Sequence, residues 1–281
     1  MKKGLIIGID YLNDPKLKLF GCINDANLIA NMLMDVYDYD KEHITMLRDD
    51  TENKLLIPTK KNLIIALRTI FEESEKYEEI WIHYSGHGTY RTDDDNDEFD
   101  YKDEVIIPID YKYEGIISDD VLLHLLKKSK CRTIITFDCC NSGSLWDLPY
   151  RFEYNKDDDS FKRFNESKEK VVDLENKNII MLSSCRDYQL AVDGWDEERR
   201  ISIGGMTSAL LDCLRYNKFN VSIFKLFKDM CIYTKSKNRE QITTLSSSIP
   251  HPKFKLLRPI IMKKNDKTYD PYIEKQKSLL K

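Results

Sequence analysis

Arg132-Thr-Ile-Ile-Thr-Phe-Asp138-Cys-Cys140-Asn-Ser-Gly-Ser144 decides how this chain reads. Five of its first six residues are β-branched or aromatic, which suits a buried strand, and Asn141, Ser142 and Gly143 then break the pattern as a turn does. In open α/β sheets, ligands bind beyond the carboxyl ends of the strands, so Asp138, Cys139 and Cys140 stand where chemistry is favoured. Side chains alternate along a strand, placing Asp138 and Cys140 on one side and Cys139 on the other. If one cysteine reacts beside Asp138, it is Cys140; Cys139 packs as a small hydrophobe.

Working outward, Ile80-Trp-Ile-His83-Tyr-Ser85-Gly-His87-Gly88 repeats the design, an apolar strand that ends in a glycine-flanked histidine. Ser85 and His87 share a parity, and the two glycines let the backbone turn around the imidazole, so His87 is presented while His83 stays in the core. A histidine on a neighbouring strand end supplies the base that turns a thiol into a thiolate near neutral pH.

The chain resembles a metacaspase of the caspase-like cysteine peptidase clan, type I-like in its core. The matching residues are Gly21-Cys-Ile-Asn-Asp-Ala26, Tyr84-Ser-Gly-His-Gly88, Asp103-Glu-Val-Ile106 with Pro108 and Asp110, Asp138 to Ser144 with Asp147-Leu-Pro149, and Ser184-Cys-Arg-Asp187 with Gln189. Cys140 follows His87 by roughly 50 residues, close to the caspase-type spacing. The chain departs from caspases proper in lacking Gln-Ala-Cys, and from many metacaspases in carrying Asn141 where they have His.

The resemblance implies a Cys140/His87 dyad, with the backbone amides of Gly88 and Cys140 as the oxyanion hole. It places Cys22, Asp25, Ser85 and Asp138 around the pocket for the residue before the scissile bond, where two carboxylates would attract Arg or Lys and repel Asp. It also implies activation by calcium at Asp103, Asp119, Asp120 and Asp147, carboxylates that repel one another unless a hard cation neutralises them. Helix capping by Asp119 and Asp120 with a loop ion pair is the plainer alternative. Asp93, Asp95, Asp97 and Glu104 mimic a calcium loop, yet Glu98 stands where its turn needs Gly, so a solvated charge run is expected there.

Composition sets the outer bounds. The 281 residues are 41% apolar, enough for a substantial core, and the net charge of −4 has both signs interspersed, unlike a nucleic-acid binder. The apolar start ends at Ile9 with no small-residue cleavage site and reads as a strand, not a signal peptide, and no apolar run is long enough to span a membrane. Seven scattered cysteines fit reduced thiols in the cytoplasm.

Strand patterns at about Lys3–Ile9, His43–Leu47, Glu79–Ser85, Arg132–Asp138, Asn178–Ser184 and Phe254–Leu257 alternate with helical ones. The helices run from an Asn24 cap to about Tyr37, from Thr59 to Glu75, Ser118 to Lys128, Met206 to Tyr216 and Ser222 to Thr234. We expect a caspase-like α/β/α sandwich, a mostly parallel sheet with helices on both faces. One peptidase domain would cover 1–258, with parts 1–149 and 178–258 joined by a charged linker, 150–177, and followed by a basic tail, 259–281. Both Thr89–Tyr101 and the linker read as exposed loops, and Lys162 and Arg163 within the latter are the expected self-cleavage sites of a zymogen. The chain starts at its first strand without the Pro-rich or zinc-binding leader of the usual type I form. A calcium-activated monomer that cuts protein or peptide substrates after Arg or Lys is the expectation, and a non-proteolytic, calcium-responsive scaffold is its rival.

Overall fold

A computed structural model describes residues 1–92, 102–139, 146–165, 174–176, 178–185, 194–237 and 242–259, leaving aside the side chains of 91, 92, 102, 103, 184, 185 and 242. In chain order the elements are β1 (Lys2–Gly8), α1 (Cys22–Asp35), β2 (Ile44–Arg48), α2 (Lys60–Glu72), β3 (Glu79–Ser85), β4 (Gly88–Thr92) and β5 (Lys102–Ile106). There follow α3 (Tyr111–Glu114), β6 (Ile117–Ser118), α4 (Asp119–Leu126), β7 (Arg132–Asp138), β8 (Tyr150–Asn155), β9 (Ser160–Asn165) and β10 (Ile179–Cys185). The last are β11 (Gly194–Asp196), β12 (Ile201–Ile203), α5 (Gly205–Tyr216), β13 (Asn220–Ser222), α6 (Ile223–Ser236), β14 (Ile242–Ser247) and β15 (Lys255–Leu257).

Among the described residues the main sheet has eight strands in the order β2-β1-β3-β7-β10-β14-β8-β9. The first five are mutually parallel and the last three antiparallel, giving an α/β sandwich with a mainly parallel centre. Strand alternation builds two cores. Ile6, Trp81, Ile134, Ile180 and Leu182 face α1, α5 and α6, while Leu5, Ile7, Ile82, Ile135 and Phe137 face α2 and α4. Parallel strands buried on both faces need apolar side chains at nearly every position, which is why β3 and β7 read as continuous apolar runs.

His83 is wholly buried, with Nδ1 3.0 Å from Thr136 Oγ1, which also accepts the Trp81 indole N–H. Burial pushes its pKa from 6.5 down to about 3. The unfolded chain therefore takes up a proton that the folded chain refuses. Stability from this group is complete above pH 6.5 and is lost as the pH falls toward 3. Urea melts between these limits should show wild type losing up to a few kcal/mol relative to His83→Leu. Parallel pH profiles would refute a neutral buried imidazole.

Four expectations need correcting. Asn24 does not cap α1; the helix starts at Cys22, whose N–H goes to Asp10 Oδ1 from the end of β1, and Asn24 Nδ2 donates to the carbonyls of Phe20 and Ser202. Residues 150–165 of the expected linker are not a loop but the hairpin β8–β9, which extends the main sheet. Its aromatics alternate: Phe152 and Phe161 meet Phe224 at 5.1 and 5.0 Å, and Phe161 reaches Phe227. Burying Phe152 contributes roughly 1.5–3 kcal/mol, more than the 0–1 kcal/mol of a surface ion pair such as Arg151–Glu153. Lys162 and Arg163 consequently lie in a paired strand, opposite Glu153 and Phe152.

Next, the segment from Thr89 is not wholly a loop, since β4 runs to Thr92 and pairs with β5; Asp93 to Tyr101 lie outside the described residues. Finally, among the described residues the strand near Phe254–Leu257 pairs only with β13, in a separate two-stranded sheet, and it is β14 that joins β10. The basic tail from 260 onward is outside the described residues.

Candidate active site

The chain runs from β1 to one side of the sheet and from β3 to the other, so the topological switch point lies at their carboxyl ends, where crevices form. Register places Gly8 beside Ser85 and Ser85 beside Asp138. Strand β3 ends at Ser85, so alternation does not extend to His87, and tertiary contacts set its position.

His87 is 7% exposed and gripped from several sides. Its N–H donates to Tyr11 Oη at 3.0 Å, and its carbonyl accepts from Tyr84 Oη at 2.7 Å and from the Ile107 N–H at 3.3 Å. The ring lies 4.8 Å from that of Tyr11. Nε2 is 2.7 Å from the Leu17 carbonyl oxygen. A carbonyl only accepts, so Nε2 carries the hydrogen and Nδ1 is the basic nitrogen of the neutral ring. The 10–22 segment that presents Leu17 is pinned by Asp49, whose carboxylate takes the N–H groups of Asp10 and Leu12.

Gly86 serves by lacking a side chain, not by an unusual dihedral: its φ is not positive, and a Cβ there would stand 2.7 Å from Tyr84 Oη. Gly88 opens β4 opposite Ile106. Because the Ile107 N–H bonds the His87 carbonyl, Gly88 and Ile106 form a non-hydrogen-bonded pair, and the Gly88 N–H points away from β5.

Asp25, fully buried in the first turn of α1, accepts from Ser85 Oγ at 2.6 Å and from the Gly204 N–H at 2.9 Å. Asp138, 9% exposed, accepts from the Thr207 N–H at 2.8 Å. A Cβ on Gly204 would overlap Oδ2 of both carboxylates. The two acids thus converge on one glycine, close enough for a single guanidinium to reach both. Arg199 is committed elsewhere, paired with Asp196 and Asp212, and it ties the β11–β12 hairpin to α5.

Among the expected pocket residues, Asp25, Ser85 and Asp138 are brought together. Cys22, three residues before Asp25 in α1, is buried in the same apolar cluster as Tyr11, Tyr84 and Cys139. Cys139 packs on the side opposite Asp138, as expected from alternation. Cys140 and its amide lie outside the described residues. Leu17, Tyr11, Gly204 and Thr207 carried no signal as site residues, since they act through backbone groups or from distant segments. The Tyr84-Ser-Gly-His-Gly88 run alone could have pointed to Tyr84.

Asp119 accepts the N–H of Glu104 and of Asp120, each at 2.8 Å, which ties α4 to β5. The backbone register of β5 with β6 brings Asp103 to the same corner as Asp119 and Asp120. Asp147 lies on the connection from β7 to β8, with φ of 43°. Among the described residues no group of three or more His, Cys, Asp or Glu side chains is placed to hold a metal, and the Asp103 side chain is outside that set. The donor chemistry is nonetheless all carboxylate oxygen, as a hard divalent cation requires.

A family model described as metacaspase, peptidase C14 domain, matches residues 2–149. Metacaspase-1 of Schizosaccharomyces pombe is 38% identical over 154 residues, 54% of this chain and 36% of that protein. Metacaspase-1 of Saccharomyces cerevisiae (strain ATCC 204508 / S288c) is 39% identical over 154 residues, 54% of this chain and 35% of that protein. The aligned stretch is thus about a third of these relatives' length. A Geobacter sulfurreducens protein superposes with a TM-score of 0.59 at 22% identity, over 92% of this chain and 97% of that one. Caspase-1 of Spodoptera frugiperda does so with 0.53 at 10% identity, over 89% of each chain, a likeness of fold. With that family model matched across its first half, the chain belongs to the metacaspase family.

Proposed function

We propose that the chain is a cysteine endopeptidase that cuts proteins or peptides after Arg or Lys. The observation that carries this is the placement of an oriented imidazole, His87, at the same strand ends as the converging carboxylates of Asp25 and Asp138. His87 Nδ1 takes the Cys140 thiol proton, the thiolate attacks the peptide carbonyl, and the Gly88 N–H stabilises the oxyanion. The imidazolium then passes its proton to the leaving amine, and water, with His87 again as base, hydrolyses the thioester. Through its contact with Nε2, the Leu17 carbonyl keeps the ring in one tautomer throughout.

Calcium activation belongs to the same proposal, with Asp103, Asp119 and Asp120 from one corner and Asp147 from the connection between β7 and β8 as the residues that would hold the ion. The cation would neutralise their mutual repulsion. Asp119 is already oriented by two backbone N–H groups, which supports its role as a ligand. Self-processing at Lys162 or Arg163 would require β9 to leave β8 first, because a protease takes its substrate as an extended, unpaired strand. The charges of these residues on the edge strand discourage pairing with a second sheet, in keeping with a monomer. The described cysteines are thiols, in keeping with a reducing cytoplasm.

Peptide libraries with Arg, Lys or Asp before the scissile bond, with millimolar calcium or a chelator, test the proposal. Cleavage after Arg and Lys, removed by chelation and poorly restored by magnesium, is expected. Mass spectrometry of the same incubations should find new termini after Lys162 or Arg163, absent in Cys140→Ala. No cleavage of any peptide, together with no uptake of a peptidyl cysteine reagent, would favour the scaffold reading.

A further inference from the structure

We propose that Tyr84 is a positioning residue that orients and polarises the Gly88 amide, the oxyanion donor, through the carbonyl of His87. This rests on the peptidase reading above. The His87 C=O and the Gly88 N–H belong to one planar peptide unit, so whatever fixes the carbonyl also fixes the N–H. The Tyr84 hydroxyl donates to that carbonyl at 2.7 Å, and the Ile107 N–H occupies its other side at 3.3 Å. A hydrogen bond at the carbonyl makes the amide hydrogen more positive, because bonds in a chain polarise one another. The non-hydrogen-bonded pairing of Gly88 with Ile106 turns that hydrogen away from the sheet.

Two further features fit this role. The phenol is wholly buried and its pKa is held well above the usual tyrosine value by burial, so it stays a donor across the working pH range. The hydroxyl reaches His87 by passing over Gly86, at a place where any Cβ would stand 2.7 Å from it. Glycine at 86 is thus what lets the phenol reach the carbonyl. Tyr11 acts on the other flank, accepting the His87 N–H and donating to the Ile107 carbonyl at 2.7 Å. It therefore holds the preceding peptide, not the oxyanion donor.

The test compares the full chain with Tyr84→Phe, which deletes one oxygen, and with Gly86→Ala, which keeps Tyr84 but displaces its hydroxyl. Three quantities are measured: kcat and KM on an Arg peptide, the affinity of a peptidyl-Arg aldehyde, and the rate of Cys140 alkylation by iodoacetamide across pH. The aldehyde forms a tetrahedral adduct that needs the oxyanion donor, whereas alkylation needs only the activated thiol. Both variants should lose about 10–100-fold in kcat, less than the 10²–10³-fold for deleting a donor outright, with KM changed little. Aldehyde affinity should fall by a similar factor, and the alkylation profile should stay as in wild type. Unchanged kcat and aldehyde affinity in either folded variant would overturn the assignment, as would alkylation falling in step with them. A wild-type chain that takes up neither reagent overturns the peptidase reading, and this assignment with it.

Discussion

His87→Ala is expected to lower peptide turnover by about four orders of magnitude or more, with Cys140→Ala at least as severe. The imidazole is the group at these strand ends whose tautomer is set by a contact, Nε2 to Leu17 at 2.7 Å, leaving Nδ1 to accept a thiol proton. Without it the thiol stays protonated near neutral pH, and the leaving amine has no proton donor. The two residues act as a unit, so the double variant should be little worse than either single one. Cys139→Ala should keep most of the activity, since that thiol packs with Phe137 and Tyr84 in the opposite core. Single-turnover assays on folded proteins check all four variants. Near-normal activity in Cys140→Ala, or its loss in Cys139→Ala alone, would reverse the assignment of the nucleophile.

The second large effect is on selectivity. Asp138→Asn and Asp25→Asn should each cost about 2–5 kcal/mol of preference for Arg over a neutral isostere, because a buried guanidinium is left partly unpaired. That corresponds to roughly 30-fold to several thousand-fold in relative kcat/KM. Asparagine is the right probe, since its oxygen can still accept the N–H of Thr207 or Gly204 and so preserve the local backbone. Gly204→Ala should mimic these losses without removing a charge, its methyl overlapping both carboxylates and forcing them apart. Competition assays with paired peptides give the ratios. Selectivity for Arg that survives both Asn variants would place its origin elsewhere.

Strand alternation made much of this molecule legible. It put Asp138 opposite Cys139, set His83 deep and Ser85 at the strand end, and bounded β3 at Glu79 and Ser85. Thr59 was readable as the place where α2 opens, because the side chain that caps the helix there accepts from the Asn62 N–H a few residues on, a local event. The aromatic hairpin β8–β9 was less visible, since its charges suggest a solvated loop while its order comes from Phe224 and Phe227, far along the chain.

By itself, then, the sequence determined what depends on neighbours along the chain: the period of the buried strands, the two histidine depths, the family motifs and the acidic residues near the strand ends. Only the tertiary structure decided which atoms meet. The Leu17 carbonyl at Nε2, the Tyr11 phenol on the His87 N–H, and the glycine on which Asp25 and Asp138 converge all join segments remote in the chain. Most of these partners are backbone groups, which every residue carries and no motif marks. Their meeting is set by sheet register and helix packing, so it becomes visible only once the cores on both faces have closed.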